Sequence, residues 1–238
     1  MSDDPTSRTL WVEASPKGDD SLSSQLAQTY LQTAETGVVE RFSVWADDMV
    51  SFGRDAAIAK FAPLFGTAVS PEQKTAWRAV SAEIERVRAF DRLVISSPMW
   101  NWNVPHALKA WIDVIVQPLL SFTVDENGRH IGTLGNGRPA QLILTRSSAY
   151  DGTHPELRDF QLPYLEYVFT MLGYKVSSFV VEPTTRWSED ERNEMRCAAI
   201  ADVRAFALDQ RSVDPTDRGE PRPDPSIPRS GSITPDGD

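Results

Sequence analysis

The chain alternates short β-branched runs with longer stretches of helical periodicity, and this restricts it to few architectures. Strands joined through helices run parallel, and a parallel sheet needs helices on both faces. Thr9-Leu10-Trp11-Val12-Glu13-Ala14 reads as the first strand and Val38 to Val44 as the second. Arg92 to Ser97, Gln141 to Thr145 and Val176 to Val181 follow as the third, fourth and fifth. Between them, Leu22, Leu26 and Tyr30 recur at four-residue steps, as one face of a helix would. Ser70-Pro71-Glu72-Gln73 has the capping-box pattern and opens a helix whose stripe is Trp77, Val80, Ile84 and Val87. Leu108, Trp111, Ile112 and Ile115 mark another helix, closed by Pro118. Leu165, Val168, Phe169 and Leu172 mark one entered or kinked at Pro163, and residues 188–210 a final one. Residues 46–69 show no clear period and read as an irregular surface insertion. Residues 121–137, with Asp125-Glu126-Asn127-Gly128 and three further glycines, read as a hairpin-like excursion.

Five strands with intervening helices predict an α/β fold: a flavodoxin-like, doubly wound, five-stranded parallel sheet of strand order 2-1-3-4-5. The chain has 238 residues, enough for one such domain over residues 1–211. From Ser212 the composition shifts. Asp214 to Asp238 holds six of the chain's 17 prolines and almost no large apolar residue, so 212–238 reads as a disordered Pro-rich acidic tail. The formal net charge of −10 argues against nucleic-acid or anionic-membrane partners, which reward excess Lys and Arg. Met1 to Arg8 is polar, and no run approaches the roughly 20 apolar residues of a membrane span. The expectation is a cytoplasmic protein. Cys197 is the single cysteine, so an intramolecular disulfide is impossible; in the last helical pattern it reads as a packing residue.

In an open parallel sheet, ligands bind beyond the carboxyl ends of the strands at the switch of strand order. Three loops there stand out. Ser15 to Ser23 runs into a helix start, where free amides and the hydroxyls of Ser15, Ser21 and Ser23 can hold a phosphate even in an acidic protein. The plainer alternative is that Ser21 or Ser23 caps the helix. The loop Pro98-Met99-Trp100-Asn101-Trp102-Asn103-Val104-Pro105 suits a flat heteroaromatic ligand, its apolar groups on a ring face and its amides at the polar edge. It also suits an aromatic cluster buried on its own domain or a partner chain. Thr145-Arg146-Ser147-Ser148-Ala149-Tyr150 offers amides and hydroxyls to a ring's carbonyl edge.

Together these loops resemble the FMN-dependent NADH azoreductase and quinone reductase family, the acyl-carrier-phosphodiesterase-like group of flavodoxin-fold proteins. Pro98-Met99-Trp100-Asn101-Trp102 is similar to the family's Pro-Met-Tyr/Trp-Asn-Phe segment, and Leu108-Lys109-Ala110-Trp111-Ile112-Asp113 to its following helix. Ser121-Phe122-Thr123 with Glu126-Asn127-Gly128, Pro163-Tyr164-Leu165 and Leu172-Gly173 agree as well, so the resemblance runs from about Arg8 to about Ala205. It implies a homodimer with FMN at the subunit boundary, and NADH or NADPH as electron donor to a small-molecule acceptor such as a quinone or azo compound. Ser15, Ser21, Leu22 and Ser23 would hold the phosphate; Pro98, Met99, Trp100, Asn101 and Trp102 the isoalloxazine; Thr145, Arg146, Ser147 and Ser148 its pyrimidine end. Phe122 would line the substrate pocket, in its own or the neighbouring subunit. The implied cycle is ping-pong and flavin-based, with no catalytic protein nucleophile. One departure is Ser147-Ser148 where the family has Gly-Gly, which bears on backbone approach to the ring.

Other chemistry finds little footing. His106, His130 and His154 lack metal-ligand spacing; His154, near the pyrimidine-edge loop, either donates to an acceptor or is an ordinary loop histidine. Gly132, Gly135 and Gly137 precede a strand instead of joining strand to helix, and no Gly-x-Ser-x-Gly elbow or Walker pair exists. A reading from a different class is a flavin-binding electron carrier or redox-sensing module that does not itself oxidise a nicotinamide nucleotide.

Overall fold

The computed structural model describes residues 7–213 except 47, 153, 155 and 187; at 63, 64 and 211–213 only the backbone is described. The five sequence-predicted strands are β1 (Arg8–Glu13), β2 (Val38–Ser43), β3 (Arg92–Pro98), β6 (Pro139–Thr145) and β7 (Lys175–Val181), all parallel in the order β2-β1-β3-β6-β7. This is the predicted 2-1-3-4-5 topology, with two further strands inserted in chain order. Those two, β4 (Phe122–Val124) and β5 (His130–Gly132), form the separate antiparallel hairpin anticipated at 121–137.

The double winding follows from strand periodicity. Leu10 and Val12 of β1 point to one face with Leu93, Ile95, Leu142 and Leu144. There they meet α3 (Pro71–Arg88), α4 (His106–Ile115) and α5 (Leu162–Met171). Trp11, Val94 and Ile143, at alternate positions, point to the other face and meet α1 (Leu22–Ala34) and α6 (Glu189–Val213). Both faces are covered, so the central strands are apolar almost throughout.

At the start of α3 the capping box forms as read: Gln73 N donates to Ser70 Oγ at 3.3 Å and Ser70 N to Gln73 Oε1 at 2.9 Å. Pro163 lies in the first turn of α5, so it opens that helix. Three expectations need correction. Residues 46–69 are not an irregular insertion throughout, since Arg54–Phe65 is a helix, α2. Its buried positions Ala56, Ala59 and Ala62 recur every three residues, but alanine is too small to mark an apolar stripe. The final helix runs to Val213, past the predicted end and across the 211/212 boundary. Cys197 is exposed on α6, not packed. The predicted tail from Asp214 onward lies outside the described residues. Among the described residues, no helix is long and apolar enough to cross a membrane.

Candidate functional site

The carboxyl ends of β1, β3 and β6 and the start of α1 converge on one cleft of about 400 Å3. Ser15, Ser21, Leu22, Pro98, Trp100 and Thr145 line it, so all three loops singled out by strand order contribute to one wall. A volume in this range suits a small-molecule ligand.

The serine loop is built from the strand outward. Beyond β1, Ser15 is 4% exposed, and a 3-10 turn at Gly18–Asp20 delivers the chain to Ser21 at the start of α1. Ser21 makes no side-chain capping bond; its hydroxyl lies 3.0 Å from that of Ser23, which is fully buried. The plain capping alternative for Ser21 therefore fails, and the first amides of α1 have no acceptor within the helix. Buried hydroxyls beside free helix-start amides form a donor set for an anion. The loop is braced from behind. Glu13, 3% exposed, accepts from Ser24 Oγ at 2.6 Å and from Arg41 Nη2 at 2.7 Å, while Arg41 Nη1 donates to Asp19 at 2.7 Å. The hydrogen bond to Glu13 raises the pKa of Arg41 against burial, with Asp19 adding to the rise.

The loop after β3 folds back as a two-residue hairpin. Trp100 N donates to Asn103 O at 2.8 Å and Asn103 N to Trp100 O at 2.9 Å. Asn101 and Trp102, the central pair, have φ of 46° and 65°, the sign of a type I′ turn. A tryptophan held in that region is strained backbone at a loop tip. Trp100 thereby reaches the cleft, whereas Asn101 and Trp102 sit exposed at the tip, and Met99 is tied through its amide to Thr145 O at 2.8 Å. Phe160 N donates to Trp102 O at 3.0 Å, so the loop after β6 packs against the tip.

Arg146 reaches the same region but is committed elsewhere. Its guanidinium pairs with Asp159 at 2.8 Å and Glu182 at 2.9 Å and donates to Gln161 at 3.1 Å. Its amide and carbonyl are bonded to Val181 and Thr184. Arg146 thus fixes the loop's shape, and Ser147 and Ser148 are the residues there with exposed or half-exposed groups to offer. His154 is exposed in the same loop, 3.4 Å from Glu156.

Phe122 is not brought to this cleft. It is paired with Gly132 in the β4–β5 hairpin, whose following segment is bonded at the opposite end of the sheet: Gly135 N to Leu172 O at 2.8 Å and Gly137 N to Gly173 O at 2.7 Å. The length of β6, roughly 20 Å, separates the two ends.

The structure adds residues that inspection of three loops omitted. Trp45, just past β2, donates to Ala14 O at 3.0 Å and packs on Trp100, ring centroids 5.5 Å apart; His106 meets Trp45 edge-on at 5.1 Å. Thr184, beyond β7, and Arg192, Met195 and Arg196 of α6 also line the cleft. Applied to the second and fifth strand ends, the carboxyl-end rule would have found Trp45 and Thr184. The α6 residues carry no local signal.

The model of a family described as flavodoxin-like fold matches residues 7–206. An FMN-dependent NADH:quinone oxidoreductase of Nitratidesulfovibrio vulgaris is 37% identical over 206 residues, covering 84% of this chain and 98% of its own. Another, from Ruegeria pomeroyi, is 34% identical over 179 residues, covering 73% and 87%. An FMN-dependent NADH-azoreductase of Bacillus anthracis, solved in complex with FMN, superposes with a TM-score of 0.71 at 21% identity, over 86% of this chain and 99% of its own; that likeness shows the fold. Sequence similarity of this extent, on a sheet of this order, settles kinship: the chain belongs to the flavodoxin-like family of FMN-dependent NADH:quinone oxidoreductases and azoreductases.

Proposed function

We propose that this protein is an FMN-dependent oxidoreductase that uses NADH to reduce quinones, azo compounds or related conjugated acceptors in a ping-pong, two-electron cycle. The observation that carries the reading is the meeting of Ser15 and Ser21, Trp100 and the end of β6 in one cleft. The donor set fits the cofactor: hydroxyls and helix-start amides for a phosphate, an indole for a ring face, loop hydroxyls for a polar ring edge.

Bound FMN would supply the two-electron redox chemistry between the nicotinamide nucleotide and the acceptor. Ser15, Ser21 and Ser23, with the first amides of α1, hold the phosphate. Pro98, Met99 and Trp100 pack the isoalloxazine, with Trp45 fixing the Trp100 ring from behind. Ser147 and Ser148 face the pyrimidine edge, where their donors stabilise negative charge. Two hydroxymethyl groups stand where the family's glycines leave bare backbone, so acceptor preference is the property this loop changes.

Trp102 and Phe160, 54% and 56% exposed and bonded through their backbones beside the cleft, form the surface that a second copy would cover. In such a homodimer, Phe122 of one subunit lines the acceptor pocket of the other. The test is steady-state: with FMN added and oxygen removed, the purified protein sustains NADH oxidation beyond one equivalent per flavin only when a quinone is supplied. A protein that retains no FMN on gel filtration contradicts the reading. Retained FMN with no NADH oxidation favours an electron carrier.

A further inference from the structure

Between the serine loop and the tryptophan loop stands one side chain that belongs to neither. Trp45, two residues past β2, is half-buried, and its contacts run in three directions. Its indole Nε1 donates to the carbonyl of Ala14 at 3.0 Å. Ala14 is fully buried and directly precedes Ser15, which lines the cleft. The Trp45 ring packs on Trp100 with centroids 5.5 Å apart and planes at 49°. His106, the first residue of α4, completes the group: its ring meets Trp45 edge-on at 5.1 Å and lies 6.3 Å from that of Trp100. Trp100 itself lines the cleft and is 37% exposed. Trp45 and His106 are not part of the cleft wall, so whatever they do for a ligand they do through Trp100 and Ala14.

We propose that Trp45 and His106 are positioning residues for the flavin: they bracket the Trp100 indole from two sides, and Trp45 ties that indole to the start of the serine loop. The inference rests on the FMN reading above and extends it to two residues outside the cleft. The backbone of Trp100 is fixed by its pairing with Asn103, but its side-chain torsions are set only by what the ring touches. An indole left free would have to be ordered when a ligand binds, and a bracket that orders it beforehand removes that cost. The second contact of Trp45 supplies a donor to a buried carbonyl at the root of the serine loop. One side chain therefore fixes the relation between the loop that takes the phosphate and the loop that takes the ring. The two contacts are separable, because phenylalanine keeps a ring on Trp100 and loses the donor to Ala14.

The experiment uses the full chain and the variants Trp45→Phe, Trp45→Leu, His106→Ala and His106→Phe, with urea midpoints to check that each folds. Without flavin, the readout is the far-ultraviolet circular dichroism couplet that two packed indoles produce. It should vanish in Trp45→Phe, shrink in His106→Ala and return in His106→Phe. With flavin, FMN affinity in Trp45→Phe should weaken about tenfold with the quinone KM unchanged. His106→Ala should keep FMN affinity within about twofold and raise the quinone KM about threefold, and His106→Phe should restore it. Trp45→Leu should show both defects. Unchanged affinity and KM in folded Trp45→Leu would overturn the proposal. So would a couplet that survives Trp45→Phe, because the indoles would then not be paired in solution. His106→Phe as impaired as His106→Ala would overturn it as well, assigning the effect to the imidazole instead of a ring contact. FMN affinity that falls only in step with the urea midpoint, with couplet and KM unmoved, would reduce both residues to packing. Wild-type protein that binds no FMN removes the FMN reading itself, while the couplet without flavin still tests the bracket.

Discussion

The guanidinium of Arg146 is 3% exposed and held by two carboxylates, Asp159 and Glu182, each under 20% exposed. Replacing it with methionine strands both, and breaking a buried pair in this way costs about 3 kcal/mol, the lower end of the usual range because the carboxylates keep some water. Urea denaturation of Arg146→Met should show that loss, and a midpoint within error of wild type would contradict the bracing role. Tyr174 gives a prediction in pH. Burial pushes its phenol up to about 12 from an ordinary value near 10, against the opposing charges of Arg138 and Arg88. A raised folded-state pKa means the folded protein binds more protons between those values, so its contribution is whole below pH 10 and lost as pH rises through 12. Stability should fall over that window more steeply in wild type than in Tyr174→Phe; parallel curves would contradict it. At this scale the sequence showed which residues cluster but not how each is used. Serines at a strand-to-helix loop are legible from spacing. The commitment of Arg146 is not, because its partners lie 13 and 36 positions away.

Elements were legible where side-chain size marked their period. The stripe of α3 and its capping box could be read residue by residue, whereas α2 escaped because its buried face is alanine. The β4–β5 hairpin was visible from Asp125 to Gly128, where Asp125 accepts from Asn127 N at 2.9 Å and Arg129 N at 2.8 Å, but its anchorage was not. A Cβ on Gly132 would lie 2.2 Å from the backbone of Leu172 and Gly173. Gly132→Ala must therefore push the hairpin off α5, lowering stability by about 2 kcal/mol or more in urea denaturation. No change would mean the hairpin is not seated there. The turn after β3 predicts the opposite sign. Trp102→Gly creates Asn-Gly, the pair preferred in a type I′ turn, and relieves a left-handed tryptophan that buries little. Its urea midpoint should rise while NADH-dependent quinone reduction falls, because Trp102 belongs to the surface proposed above for a second copy. A lowered midpoint would show that Trp102 is a structural residue.

For the whole molecule, the two-sided packing of one parallel sheet explains why the architecture could be read from alternation alone: the central strands' two apolar faces require two helical layers. The same topology brings five strand ends to one edge, so a cleft at β1, β3 and β6 follows from strand order before any side chain is considered. What alternation could not supply is the α6 side of the cleft, since Arg192, Met195 and Arg196 reach it only because α6 packs beside α1. Nor could it place Phe122 at the far end of the sheet, away from the cleft. All of these features converge on one claim, that the cleft holds a flavin reducible by a nicotinamide nucleotide. The direct test is anaerobic: load the protein with FMN, add NADH, follow the flavin absorbance, then add a quinone. The account predicts bleaching with NADH alone and full recovery on addition of the quinone. Flavin that stays oxidised with NADH, and equally with NADPH, would contradict it.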